Sequence, residues 1–188
     1  MTASAQLLLI RHAETDSAGT FCGHSDPPIN ARGHAQIEAL LDTLQQHEID
    51  VVYSSDLQRA RTTAEAIATF FSAPLLVTSN LREIDFGDWE SLTWEQIEQR
   101  TPAHAQRWVA ESPRLAAPNG EDFGVFRTRV LHEFDTLAAT NRKAAVVTHA
   151  GVLRIIMTHR CGVSDEQAWL NTSTYCGVFI YPNGGPER

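Results

Sequence analysis

Short aliphatic runs alternate with helix-period stretches along this chain. Leu7-Leu8-Leu9-Ile10 has no polar position, the pattern of a strand covered on both faces. Ile49, Val51, Val52 and Tyr53, then Pro74 to Val77, then Ala144-Ala145-Val146-Val147, repeat it. Tyr175 to Tyr181 reads as a last strand, with connections short enough for an antiparallel edge. Between these runs, Ile37, Leu40, Leu41 and Leu44 recur at helical spacing behind Asn30, a suitable N-cap. Ala60, Ala64, Ile67 and Phe71 mark the inner face of a second helix, for which Ser54-Ser55-Asp56 supplies cap residues. Phe123, Phe126, Val130, Phe134 and Leu137 mark a third, opening at Asn119-Gly120-Glu121-Asp122, and a further helix runs from about Val152 to His159. The alternation predicts an α/β fold: a three-layer helix-sheet-helix arrangement on a mostly parallel sheet, one domain over 1–188. The segment 80–118 breaks the rhythm. It holds Trp89, Trp94 and Trp108, three of the four tryptophans, with weak helical patterns, and reads as a helical, lid-like insertion beside the strand ends.

Where the strands stop matters most. Open α/β sheets bind ligands at the carboxyl ends of their strands. The first run stops at Arg11-His12, and the run through Val147 stops at Thr148-His149. Arg59 falls in the first turn of a helix that follows a strand, where the helix N-terminus also favours an anion. Two guanidiniums brought to one place need an anion between them, and their planar forks suit phosphate oxygens. Imidazoles beside that anion offer a nucleophile and further donors. The residues alone therefore point to phosphoryl chemistry without a metal or cofactor, since no carboxylate–histidine metal motif stands out.

Composition narrows the partners. The chain has 188 residues and a formal net charge of -8, which argues against nucleic acid but not against a local cationic pocket for a small anion. Cys22, Cys161 and Cys176 lack CxxC spacing, so neither a disulfide framework nor a zinc site is expected. No basic leader precedes the first apolar run, and that run is too short to span a membrane. A cytoplasmic protein acting on a small phosphorylated metabolite is the expectation, as monomer or dimer.

Arg11-His12-Ala13-Glu14-Thr15 resembles the signature of the histidine phosphatase superfamily, the phosphoglycerate mutase-like clan. Gly23-His24-Ser25-Asp26 with Ile29-Asn30-Ala31-Arg32-Gly33, Ser54-Ser55-Asp56-Leu57-Gln58-Arg59-Ala60, Leu81-Arg82-Glu83-Ile84-Asp85-Phe86-Gly87-Asp88-Trp89-Glu90 and Val147-Thr148-His149-Ala150-Gly151 resemble its further motifs, in its order. The alpha-ribazole phosphatase branch looks most similar, which implies alpha-ribazole 5′-phosphate, of cobalamin assembly, as a candidate substrate. The resemblance implies that His12 is the nucleophile, that Arg11, Arg59 and His149 hold the phosphoryl oxygens, and that Glu83 is the general acid and base. Arg61 competes with Arg59, and Asp85 competes with Glu83 from the same face of a strand-like stretch. Thr15, Gly23, His24, Glu121 and Ala150 are candidate substrate contacts; Glu121 is equally a first-turn helix acid, and Glu14 stands beside them. The chain departs from the pattern at Ala13, where glycine is usual, at Ser91, and at Ala18, where many members carry a phosphate-holding asparagine; Thr15, Ser17 and Thr20 are the available substitutes. A mutase of the same chemistry and a non-catalytic phospholigand-binding module are the alternative readings.

Overall fold

In the computed structural model, which describes residues 6–111 and 115–181, the elements run β1 (Gln6–Arg11), α1 (Ala31–Leu44), β2 (Val51–Ser55), α2 (Gln58–Phe71), β3 (Leu75–Thr78), α3 (Trp94–Arg100), α4 (Pro102–Glu111), α5 (Phe123–Ala138), β4 (Lys143–Thr148), α6 (Ala150–Arg160), α7 (Asp165–Asn171) and β5 (Val178–Tyr181). The strands form one sheet in the order β3-β2-β4-β1-β5. All neighbours are parallel except β1 and β5, which pair antiparallel. The expected antiparallel edge is present, shortened to four residues.

Strand alternation sorts the core into two layers. Leu7 and Leu9 of β1, Val51 and Tyr53 of β2, and Ala144 and Val146 of β4 face Phe126, Val130 and Phe134 of α5 and the buried side of α6. Leu8, Ile10, Val52, Ala145 and Val147 face Leu40 and Leu44 of α1 and Ala60, Ala64 and Ile67 of α2. Both faces of the central strands are covered, so every position in those runs had to be apolar. A third cluster joins Trp89, Leu92, Ile97, Ala105 and Ala117, with Phe21, Phe86, Trp94 and Trp108 packed on it. The tryptophan-rich segment thus has a small core of its own, built on α3 and α4.

Caps show where local sequence decides an element. Asn30 accepts from the Gly33 N–H at 2.8 Å and starts α1. Asp122 accepts from the N–H groups of Gly124 and Val125 and starts α5. The expected cap of α2 is different. Its N-cap is Leu57, with no side-chain cap bond, and the Gln58 N–H goes to Asp26 Oδ1 at 2.7 Å, from the loop after β1. Ser55 Oγ instead accepts from the Leu57 N–H. The stretch carrying Glu83 and Asp85 is not a strand: it connects two 3₁₀ turns, Ser79–Leu81 and Gly87–Trp89. Helix α6 begins at Ala150 rather than Val152. Helix α7 has no counterpart in the hydrophobic pattern, because Ala168 is its only buried residue while Trp169 and Leu170 point outward.

Candidate active site

The β1–β4 register pairs Arg11 with Thr148, and the His12 N–H donates to the Thr148 carbonyl at 2.9 Å, one step beyond the strands. His12 and His149 therefore leave the sheet side by side, their ring centroids 5.0 Å apart. Strand β2 pairs with β4 on its other side and ends at Ser55, whose Oγ lies 2.9 Å from His149 Nε2. Residues far apart in sequence thus meet because three neighbouring strands end together.

A cavity of about 220 Å³ lies over these ends. Arg11, His12, Arg59, Glu83 and Ala150 line it, as do Thr15, Ser17 and Thr20, the three hydroxyls available in place of the missing asparagine. His12 Nδ1 is 2.7 Å from the Ala13 carbonyl; that distance makes Nδ1 the protonated nitrogen, since a carbonyl only accepts, and leaves Nε2 with its lone pair. Burial, then the charge of Arg59, push the His12 imidazole down to about 3, against the Ala13 hydrogen bond. The ring is neutral. His149 is held neutral in the same way, by burial first and then by Arg59 and His12. It is 1% exposed and sits against His12 without lining the cavity, with Nδ1 buried and unpartnered among the described residues.

The arginines are fixed by backbone carbonyls. Arg59, 1% exposed, donates from Nη1 to Ser25 O at 2.6 Å and from Nη2 to Gly23 O and Cys22 O at 2.7 and 3.2 Å. Arg11 donates from Nη1 to the carbonyls of Thr172 and Ser173 and lies 3.8 Å above the Tyr175 ring. In both, Nε is buried and has no hydrogen-bond partner among the described residues. A buried donor left unpaired is costly; two such guanidinium nitrogens beside one small cavity make it a receptor for an oxyanion.

Glu83 is 8% exposed. Its Oε2 accepts from the Gly151 N–H at 2.8 Å and its Oε1 from the Ile84 N–H at 3.0 Å. A Cβ on Gly151 would run into that carboxylate, so the glycine lets helix α6 approach it. Asp85, the competitor, accepts from the Gly87 N–H and faces His24 Nδ1 at 3.5 Å. Arg61 pairs with Glu65 on an exposed helix face. The geometry separates both pairs: Glu83 and Arg59 face the cavity.

Three of the candidate contacts do not line this cavity, though Glu121 lines the groove beside it. Gly23 contributes its carbonyl to Arg59, and His24 turns to Asp85, so neither lines the cavity. Glu121 forms an ion pair with Arg129 at 2.7 Å. Arg129 in turn donates to the carbonyls of Asn80, Arg82 and Glu83, which pins the segment carrying Glu83. Glu14 is occupied with Asn30 and Gln36 at the start of α1. Ala13 is fully buried and outside the left-handed region, so a methyl group is accommodated where glycine is usual. Sequence reasoning missed Tyr175, Ser55, Glu90 and Arg129. Tyr175 had a signal, since an antiparallel edge strand beside β1 runs back past Arg11; the others act through contacts between separate loops and leave no local pattern.

The model of the histidine phosphatase superfamily, branch 1, matches residues 7–183. The chain belongs to the histidine phosphatase superfamily. It is 31% identical over 168 residues to the adenosylcobalamin/alpha-ribazole phosphatase of Escherichia coli, covering 87% of this chain and 83% of that one. It is 29% identical to phosphoserine phosphatase 1 of Hydrogenobacter thermophilus, covering 87% and 80%. The solved alpha-ribazole phosphatase of Shigella flexneri superposes with a TM-score of 0.84 at 28% identity, over 93% of this chain and 89% of that one. The histidine phosphatase fold, with its mostly parallel sheet, is the fold of this chain, and the chain is a phosphoric monoester hydrolase. Among the described residues no helix is long and apolar enough to cross a membrane.

Proposed function

We propose that the chain hydrolyses a small phosphorylated metabolite through a phosphohistidine on His12. The observation that carries this reading is the cavity itself: a neutral imidazole with Nδ1 tied to the Ala13 carbonyl, beside the unpartnered Nε atoms of Arg11 and Arg59. His12 Nε2 attacks phosphorus as the ester P–O bond breaks, and Glu83 delivers a proton to the departing oxygen. Water then attacks the phosphoryl group, Glu83 takes its proton, and the N–P bond breaks to release phosphate. The two guanidiniums hold the equatorial oxygens, where charge has to be stabilised during transfer, and His149 Nδ1 is the third unpartnered nitrogen beside them. Thr15 and Ala150 line the same cavity and contact the phosphoryl group.

The named relatives act on phosphate esters of different alcohols, alpha-ribazole phosphate and phosphoserine among them. Alpha-ribazole 5′-phosphate is the substrate we favour, on the similarity of both sequence and structure to alpha-ribazole phosphatases. Three unpaired cysteines fit a reducing cytoplasm. Denaturing the enzyme at alkaline pH while it turns over a phosphomonoester labelled in its phosphoryl group should leave label on the His12 peptide and none in His12→Ala. Full turnover by a protein that never carries label would refute the covalent route.

A further inference from the structure

The catalytic cavity continues into a groove of about 740 Å³, and Phe21, Glu83 and Phe86 line both. Because Glu83 borders both, a monoester with its phosphate against His12 and its ester oxygen toward Glu83 has this groove open to its organic part. One wall of the groove is built where α6 meets α7. There the Arg154 guanidinium lies 3.6 Å above the Trp169 ring, and its Nε donates to Thr172 Oγ1 at 2.9 Å. Among the described residues Arg154 forms no ion pair. Burial pushes its pKa down, the charge of Glu83 opposes that shift, and Arg11 adds to it. A half-buried cation without a carboxylate partner is expensive unless a ligand supplies an acceptor. Trp169 is 61% exposed, an unusual placement for a residue normally well buried, and Phe86, Trp108 and Phe123 line the same groove.

We propose that Arg154 and Trp169 determine which leaving group the enzyme accepts: a flat, largely apolar body that rests on Trp169 and presents a hydrogen-bond acceptor to Arg154. A compact amino-alcohol leaving group would leave this aromatic wall unused. The inference rests on the phosphomonoesterase reading for the direction in which the substrate extends. The plain alternative is a stack that only ties α7 to α6; such a stack would weaken every ligand alike when removed.

The two are separated by calorimetric titration with three non-hydrolysable probes, methylphosphonate, benzylphosphonate and 4-carboxybenzylphosphonate. Wild type should bind the benzyl probe more tightly than the methyl one, and the carboxybenzyl probe more tightly still. Arg154→Met should abolish the gain from the carboxylate, about tenfold for a charge-assisted hydrogen bond. Trp169→Ala should abolish most of the gain of benzyl over methyl, several-fold for an aromatic contact. Affinity ratios that stay as in wild type in both variants, whether or not absolute affinities fall, overturn the proposal. Turnover of phosphomonoesters is measured in parallel on wild type. An enzyme that shows the expected ratios yet hydrolyses none of them would defeat the hydrolase reading and leave the recognition wall standing.

Discussion

Glu90 does not line the cavity, yet the structure makes it decisive for Arg59. Its Oε2 accepts from the N–H groups of Gly23 and Ser25 at 3.1 and 3.0 Å and from Ser25 Oγ at 2.5 Å. Its Oε1 accepts from the N–H groups of His24 and Phe86 at 2.8 and 2.9 Å. The same loop turns its Cys22, Gly23 and Ser25 carbonyls toward the Arg59 guanidinium. The loop is strung between an anion and a cation. In Glu90→Gln, whichever oxygen becomes the amide nitrogen, two backbone N–H groups face a donor. Each lost acceptor costs about 1–3 kcal/mol; Glu90 is half-buried, so the lower end applies, about 2 kcal/mol in all. For a chain of this size that lowers Tm by roughly 4–8 °C. A loop displaced by a fraction of an ångström displaces Arg59 with it, and kcat/KM should fall roughly 10- to 100-fold. Thermal melts and steady-state kinetics with a phosphomonoester read both. Burial pushes the Glu90 carboxyl up, and hydrogen bonds from Ser25, Phe86 and His24 outweigh it and hold the group below its ordinary value. Its stabilisation is therefore complete above the unfolded carboxylate value of about 4.3 and is lost as pH falls through the lower folded value. The Tm gap between wild type and Glu90→Gln should narrow in that acid range. Wild-type melting and kinetics in Glu90→Gln at neutral pH would refute the reasoning; a lowered Tm with unchanged kcat/KM would show that Arg59 is placed without the loop.

Arg129→Met should be destabilising by about 3–5 kcal/mol, because it strands the half-buried Glu121 charge, and it should slow alkyl phosphates more than aryl phosphates, since Glu83 loses its anchor and only poor leaving groups depend on an acid; equal slowing of both classes counts against the anchoring role. Folding should also lose stability as pH falls from about 6.5, the unfolded imidazole value, toward about 3, the value for folded His12. In that window the unfolded chain binds protons that buried His12 and His149 refuse. Denaturant midpoints measured against pH should fall less steeply in His12→Asn than in wild type, and parallel curves would contradict the buried neutral state.

The hydrophobic pattern was enough to determine the layered sheet. Central strands covered on both faces leave no polar position in Leu7–Ile10 or Ala144–Val147, and such runs are legible without any knowledge of what packs on them. It was enough, too, for the residues at the strand ends, because the chain must emerge there, and for Asn30, whose capping bond reaches only three residues; for α5 it marked the stretch Asn119–Asp122 without singling out Asp122 as the cap. Helix α7 escaped notice since a short helix with one buried residue carries no periodic stripe. The cap of α2 came from Asp26, across 32 residues of chain. Only the tertiary structure could assign Glu121 to Arg129, Glu90 to the loop beneath Arg59, and Trp169 to Arg154. Each is a contact between separate elements or loops, and a hydrogen bond or stack across such a junction depends on angles and distances that no local spacing encodes.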